Sequence, residues 1–198
     1  DVPPTDVTPF ARLVAAIKAG DVAGAELALL DGADPGGLVM RVGDGTPVLV
    51  LAAELGAYNI VNLLLNHGAD IHARAFLERQ SMVHDDDTYR QDMASPIEAA
   101  ISRRHLDVAE LLLQRGANPA NAVAESMGQP VFLRLVLDRG ASPDGGHLRH
   151  CVTAGTASDL ESLHILLEYG ADPNQIGWGQ MSLIRNAIEF GHVDIARA

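Results

Sequence analysis

SPIEAAISRRHLDVAELLLQRGANP, residues 95–119, reads as a short helix, a tight turn, a second helix and a glycine stop. Ser95 suits an N-cap and Pro96 a first-turn position, where proline's missing N–H costs nothing. Ile97, Ala100 and Ile101 mark an apolar stripe at helical spacing. After the polar break Arg103-Arg104-His105, a richer stripe runs through Leu106, Val108, Ala109, Leu111, Leu112 and Leu113. Gly116 stands where a left-handed C-cap residue is wanted, and Asn118-Pro119 stops the helix. Neither helix is long enough to stand alone, and the second is apolar on more than one side. The unit needs neighbours.

The same ending recurs as LALLDGADP (27–35), LLLNHGADI (63–71), LLLQRGANP (111–119), LVLDRGASP (135–143) and ILLEYGADP (165–173). A helix pair repeated with a Gly-Ala-Asp/Asn closure signals a solenoid. The chain resembles the ankyrin repeat family over nearly its whole length. The family's Thr-Pro-Leu-His-x-Ala-Ala opening is weakened to Thr46-Pro47 with Ala52-Ala53, Ser95-Pro96 with Ala99-Ala100, and Ser182-Leu183. Its Gly-His turn stands as Gly191-His192, with variants Gly20-Asp21, Gly56-Ala57 and Arg104-His105. The resemblance implies an all-α, ankyrin-type helical solenoid of about six helix-pair repeats with hairpin or loop fingers. It also implies a non-enzymatic module that binds protein partners.

The chain's 198 residues fit one array, 1–198, with repeats near 5–41, 42–90, 91–118, 119–142, 143–176 and an incomplete 177–198. Helices are expected over Pro9–Ala19 and Val22–Leu30, with a hairpin finger in Ala33–Gly45. Repeat two, from Thr46, carries one residue more than the family pattern, assigned to its first helix. The Gly-Ala endings fall at 32, 68, 116, 140 and 170, so the intervals are 36, 48, 24 and 30 residues against a family period of about 33. The long interval places an inserted finger at 72–93, and the short one leaves no room for a finger near Asn118–Asn121. A long finger overhanging a notch is the expected surface. Repeat four keeps a truncated first helix, Asn121–Met127, and then Pro130–Leu137. Repeat five has helices near His147–Ala154 and Asp159–Leu167, with extra turn residues at Gly155–Ser158.

Composition narrows the partners. A net charge of −12 and pI near 4.9 disfavour nucleic acid and anionic membranes and favour a protein with a basic or mixed surface. The 47% apolar share with 4% aromatics suits Ala/Leu helix packing. One cysteine forms no internal disulfide, and no stretch approaches about 18 unbroken apolar residues, so a cytoplasmic protein is expected. The start, DVPPTD, has neither an initiator methionine nor a signal-peptide pattern, and Ile195–Ala198 only begins a helix. A longer parent chain is therefore expected, in which this segment could serve as a regulatory or targeting arm.

No nucleophile elbow, phosphate loop or His-Glu-x-x-His is present in the sequence, so no catalytic residue and no cofactor are expected. His84-Asp85-Asp86-Asp87 lacks calcium-loop spacing and reads as a solvated tip. His147, His150 and Cys151 share one helix side, but Cys151 falls on a small buried position, and no zinc site is expected. His150 is placed at a variable position near the concave side. A rival reading puts a small-molecule or enzymatic pocket under the long finger, lined by His84, His147 and His150. In the family, contacts also come from the two residues before the inter-helix turn. Those are Lys18-Ala19, Glu54-Leu55, Ser102-Arg103, Ser126-Met127 and Glu189-Phe190. The candidate partner-binding residues are Phe76, Arg79 and Tyr89 in the insertion, Arg103 and Phe190 before turns, His150, and Trp178 on the 175–180 fingertip.

Overall fold

The computed structural model describes residues 8–41, 44–77, 92–144, 146–174 and 182–197. The chain divides into two compact units, Asp1–Ala117 and Asn118–Ala198. Arg79, Tyr89, Trp178 and the acidic tip around His84 lie outside the described residues, as does the side chain of Phe76.

The first unit begins with α1 (Pro9–Ala19) and α2 (Val22–Leu30). Thr8 accepts the Ala11 N–H at 3.2 Å, and Asp21 accepts that of Gly24 at 3.0 Å, so each helix start satisfies an otherwise unpaired donor. A hairpin of β1 (Leu38–Arg41) and β2 (Asp44–Pro47) follows, then α3 (Val48–Glu54) and α4 (Tyr58–Asn66). A second hairpin, β3 (Ala75–Leu77) with β4 (Asp92–Ala94), precedes α5 (Pro96–Ser102) and α6 (Leu106–Gln114). First helices stack on first helices, α1 on α3 and α3 on α5, while α2, α4 and α6 form a second layer. The inserted residues are thus closed at their base by an antiparallel stem.

The second unit enters a 3-10 turn, Pro119–Ala122, immediately after Asn118, whose carboxamide oxygen accepts the Ala120 N–H at 3.0 Å. It continues as α7 (Val123–Ser126), α8 (Pro130–Asp138), α9 (His147–Ala154), α10 (Ala157–Glu168), α11 (Leu183–Glu189) and α12 (Val193–Arg197). Here α9 stacks on α11, and α8 on α10.

Every second helix that ends in Gly-Ala closes alike. The glycine has positive φ, and the alanine N–H reaches back to a carbonyl five residues earlier, as in Ala117 to Leu112 at 2.9 Å and Ala171 to Leu166 at 3.0 Å. The alanine side chain is buried each time. The inter-helix turns form a second series, Gly20, Gly56, Arg104, Gly128, Gly155 and Gly191. Arg104 has φ 64° where the other five positions hold glycine. A left-handed L-residue costs about 1–2 kcal/mol, partly offset by glycine's greater freedom when unfolded. Arg104→Gly is therefore expected to stabilise the chain by about 1 kcal/mol, read as a thermal midpoint raised by a few degrees.

Three details differ from the sequence expectation, the first being that the helix expected over Asn121–Met127 is a 3-10 turn, Pro119–Ala122, followed by the four-residue α7. Val48 and Pro96 each lie 20 residues before their closing glycine, and α3 and α5 both have seven residues. The extra residue of repeat two is therefore not in its helix. Thr46 belongs to β2, paired with Val39. In repeat five the surplus becomes helix rather than turn. Thr156 and Asp159 cap each other: Asp159 accepts the Thr156 N–H at 2.9 Å, and the Thr156 hydroxyl accepts the Asp159 N–H at 3.2 Å. That box starts α10 at Ala157 and lengthens it to 12 residues.

Candidate functional site

In the first unit, α3 and α5 are buried along almost their whole length, Val48 through Ala53 and Pro96 through Ile101 with only Glu98 partly open. What remains outside is their C-terminal ends and the fingers. Lys18, Leu55 and Arg103 are exposed just before the inter-helix turns. The Arg103 guanidinium meets the Glu54 carboxylate at 2.5 Å, joining two successive repeats, although its own side chain stays 59% exposed. Beside it the His105 ring packs against Gly56, and its Nε2 lies 3.2 Å from the Glu54 carbonyl. A carbonyl only accepts, so Nε2 carries the proton.

The two fingers stand side by side, β2 next to β3. Leu38 and Met40 share one face of β1 by the two-residue strand period and are 52% and 77% exposed, while Val39 between them is half-buried. The Phe10 ring lies against Gly37 at the finger base, where a Cβ would come within 2.1 Å of it. This apolar tip carried no signal beyond a short apolar run between glycines, and its outward aim depends on pairing register: Leu38 opposite Pro47, Met40 opposite Gly45.

In the second unit, His147, His150 and Cys151 do lie on one helix, α9, with unlike surroundings. Cys151 is fully buried, four residues before Gly155, as Ala100 is before Arg104 and Ala187 before Gly191. Burial, and then the nearby Asp159 charge, push its thiol up to about 12. The native chain is expected to resist a thiol reagent at about pH 8 and to react fully in denaturant; fast native labelling would refute this placement. His147 is half-buried, and desolvation followed by the His150 charge lowers its pKa. His150 is exposed and five residues before its turn, the register of Leu51 and Ala99, both buried. It is an interior row, left open on α9 where the preceding first helix, α7, has only four residues.

Phe190 is 57% exposed and stacks on His192, with ring centroids 6.3 Å apart. Ser126, by contrast, is buried, and its hydroxyl donates to the Val123 carbonyl at 2.7 Å, which removes it from the pre-turn contact set. Among the described residues, no group of three or more His, Cys, Asp or Glu could hold a metal ion. No helix among them is long and apolar enough to cross a membrane.

Glycine-closed helix pairs, stacked first helices and hairpin fingers define a helical-repeat scaffold. The family model described as "Ankyrin repeats (3 copies)" matches residues 13–123, and the chain belongs to the ankyrin repeat family. Among curated proteins, it is 26% identical over 163 residues to the ankyrin repeat and KH domain-containing protein mask-1 of Caenorhabditis elegans, covering 75% of this chain and 6% of that protein. It is also 32% identical over 104 residues to alpha-latrocrustotoxin-Lt1a of Latrodectus tredecimguttatus, covering 52% of this chain and 6% of the toxin. The chain thus spans a small fraction of the relatives it matches. Among solved structures, it is similar to the human ASB11 ankyrin repeat domain (TM-score 0.62, 22% identity, 90% of this chain and 81% of that one). An ankyrin repeat domain from Acinetobacter baumannii gives a TM-score of 0.69 at 17% identity, covering 93% of this chain and 94% of that one. Ankyrin repeats are in general protein–protein interaction modules, and the family and fold are typically non-enzymatic.

Proposed function

We propose that this chain is a protein-binding module whose first unit engages its partner through the β1 finger and the exposed ends of α1, α3 and α5. One observation carries the reading. The first helices α3 and α5 are buried except where they reach the turns, while Leu38 and Met40 stay open on a finger held in place by its neighbour. The apolar finger side chains, next to the start of α3, form one contact region, and Lys18, Leu55 and Arg103, at the opposite ends of the first helices, form another. The rigid stack beneath keeps the ordering cost of binding low. The chain's negative charge favours a partner with a basic or mixed surface. Partner-binding roles are also assigned, on sequence grounds, to Phe76, Arg79 and Tyr89 in the insertion and, separately, to His150, Trp178 and Phe190 in the second part of the chain.

Affinity capture tests this with three forms of the chain: unchanged, Leu38→Asp/Met40→Asp, and Arg103→Glu. Each variant is expected to lose the bound protein. The finger variant should melt within a few degrees of the parent, because exposed side chains contribute at most about 1 kcal/mol. Arg103→Glu sets a second carboxylate beside the largely buried Glu54, so its capture is read at a temperature where circular dichroism shows it folded. Equal capture by all three forms would refute the finger surface. A form with residues 78–91 replaced by a short Gly-Ser link reads the insertion's share separately.

A further inference from the structure

Arg103, Arg104 and His105 join α5 to α6, and two of the three are committed to the preceding repeat. Glu54 holds the Arg103 guanidinium, and the His105 ring lies on Gly56. Arg104 is exposed, and among the described residues no carboxylate or other acceptor meets its guanidinium.

The Arg104 backbone has φ 64°, a left-handed conformation that an L-residue adopts only at a cost. Two hydrogen bonds hold it there, from the Arg104 N–H to the Ile101 carbonyl and from the His105 N–H to the Ala100 carbonyl, both 2.9 Å. The same pair of bonds closes the Gly20, Gly56 and Gly191 turns. The turn therefore forms without a side chain. The arginine adds strain to it, and no contact among the described residues offsets that strain.

A strained residue that the surrounding fold over-determines is typical of a ligand clamp. Arg104 is also an unmatched cation in a chain of net charge −12. Its planar fork fits a carboxylate through two parallel hydrogen bonds. The exposed Leu55, at the equivalent edge of the preceding repeat, adds apolar surface to the same side.

We propose that Arg104 clamps an Asp or Glu side chain of the protein partner. This rests on the binding-module reading above, names the group that its turn-side contact region takes, and selects a mixed partner surface over a wholly basic one. Glycine at this position makes the better turn, and arginine makes the better binding site.

A displayed library of random peptides, about a dozen residues long, is selected on the intact 198-residue chain and depleted on Arg104→Gly. Recovered peptides are synthesised and titrated by fluorescence anisotropy. They should share an Asp or Glu. Arg104→Gly should melt a few degrees above the parent and bind them about tenfold more weakly. Replacing the shared carboxylate by its amide should cost the parent the same factor and cost Arg104→Gly almost nothing, the coupling expected of a direct pair. Arg104→Asn also suits a left-handed turn but carries no charge, and it should bind like Arg104→Gly. A depletion that leaves no peptide overturns the proposal, as do peptides whose carboxylate can be removed without loss, or Arg104→Asn binding at parental strength. Capture of a partner that needs Leu38 and Met40 but survives Arg104→Gly would remove the clamp alone and leave the finger surface standing.

Discussion

Gly155→Ala is expected to lower stability by about 2–3 kcal/mol, while Gly191→Ala costs only about 1 kcal/mol. Both glycines close an inter-helix turn with positive φ, 68° and 78°. Both substitutions therefore meet the same left-handed penalty. Only Gly155 has something above it. A Cβ there would lie 2.0 Å from the His192 ring, whereas one at Gly191 would have nothing within 4 Å. The displaced imidazole would lose its packing on the turn and its Nε2 contact with the Thr153 carbonyl at 3.4 Å, which ties α9 to the following repeat. Urea denaturation of both variants measures the difference. A double-mutant cycle assigns its cause: in a His192→Ala background, Gly155→Ala should cost no more than Gly191→Ala. Equal costs in the parent background would mean the ring moves aside freely, and the stitch would not contribute to holding the repeats together.

The same stitch occurs in the first unit, where His105 lies on Gly56 and bonds the Glu54 carbonyl. The histidine of the inter-helix turn, in Gly191-His192 and in its variant Arg104-His105, thus acts between repeats as well as within a turn. The sequence showed the dipeptide but not its target, because the target glycine is 49 residues from His105 in one case and 37 from His192 in the other. Local features were the legible ones. The bounds of α1 and α2 follow from Pro9, Gly20-Asp21 and Gly32, whose signals are confined to a few residues. The repeat endings were legible for the same reason. Thr156-x-x-Asp159 is equally local, yet a glycine-led polar run reads as a turn, and only its capping bonds mark it as a helix start.

Surface character was harder to read because it depends on neighbours. His150 sits in an interior register and is open where the preceding first helix is short; Ser126 sits in a contact register and is buried. Arg103 stands out by residue type, but nothing in the sequence links it to Glu54, which lies two residues before its turn where Arg103 lies one before its own. Met40 carries no surface signal in the sequence, because an apolar residue in a short strand reads as core. Its exposure follows from the β1–β2 register, which no single-strand pattern reveals.

Leu112→Ala should cost about 2–5 kcal/mol, the second large effect. Leu112 is fully buried on α6, four residues before Gly116, in the register of Leu64 on α4 and Leu166 on α10. Its carbonyl also receives the Ala117 N–H that closes the helix. Truncation therefore empties space between α5 and α6 just where the end of α6 is pinned. The neighbours can relax little, since Ala100, Ile101, Val108 and Ala109 are themselves fully buried. In a repeat stack, stability is a sum of repeat and nearest-neighbour terms, so the loss should be concentrated where the cavity lies. Amide hydrogen exchange is the discriminating measurement. Protection should fall most in 96–114, while in the second unit the amides of 159–168 keep theirs. Leu166→Ala should invert that pattern. Uniform loss across both units after either change would mean that the chain opens as one cooperative block, and the repeat-by-repeat account of its stability would fail.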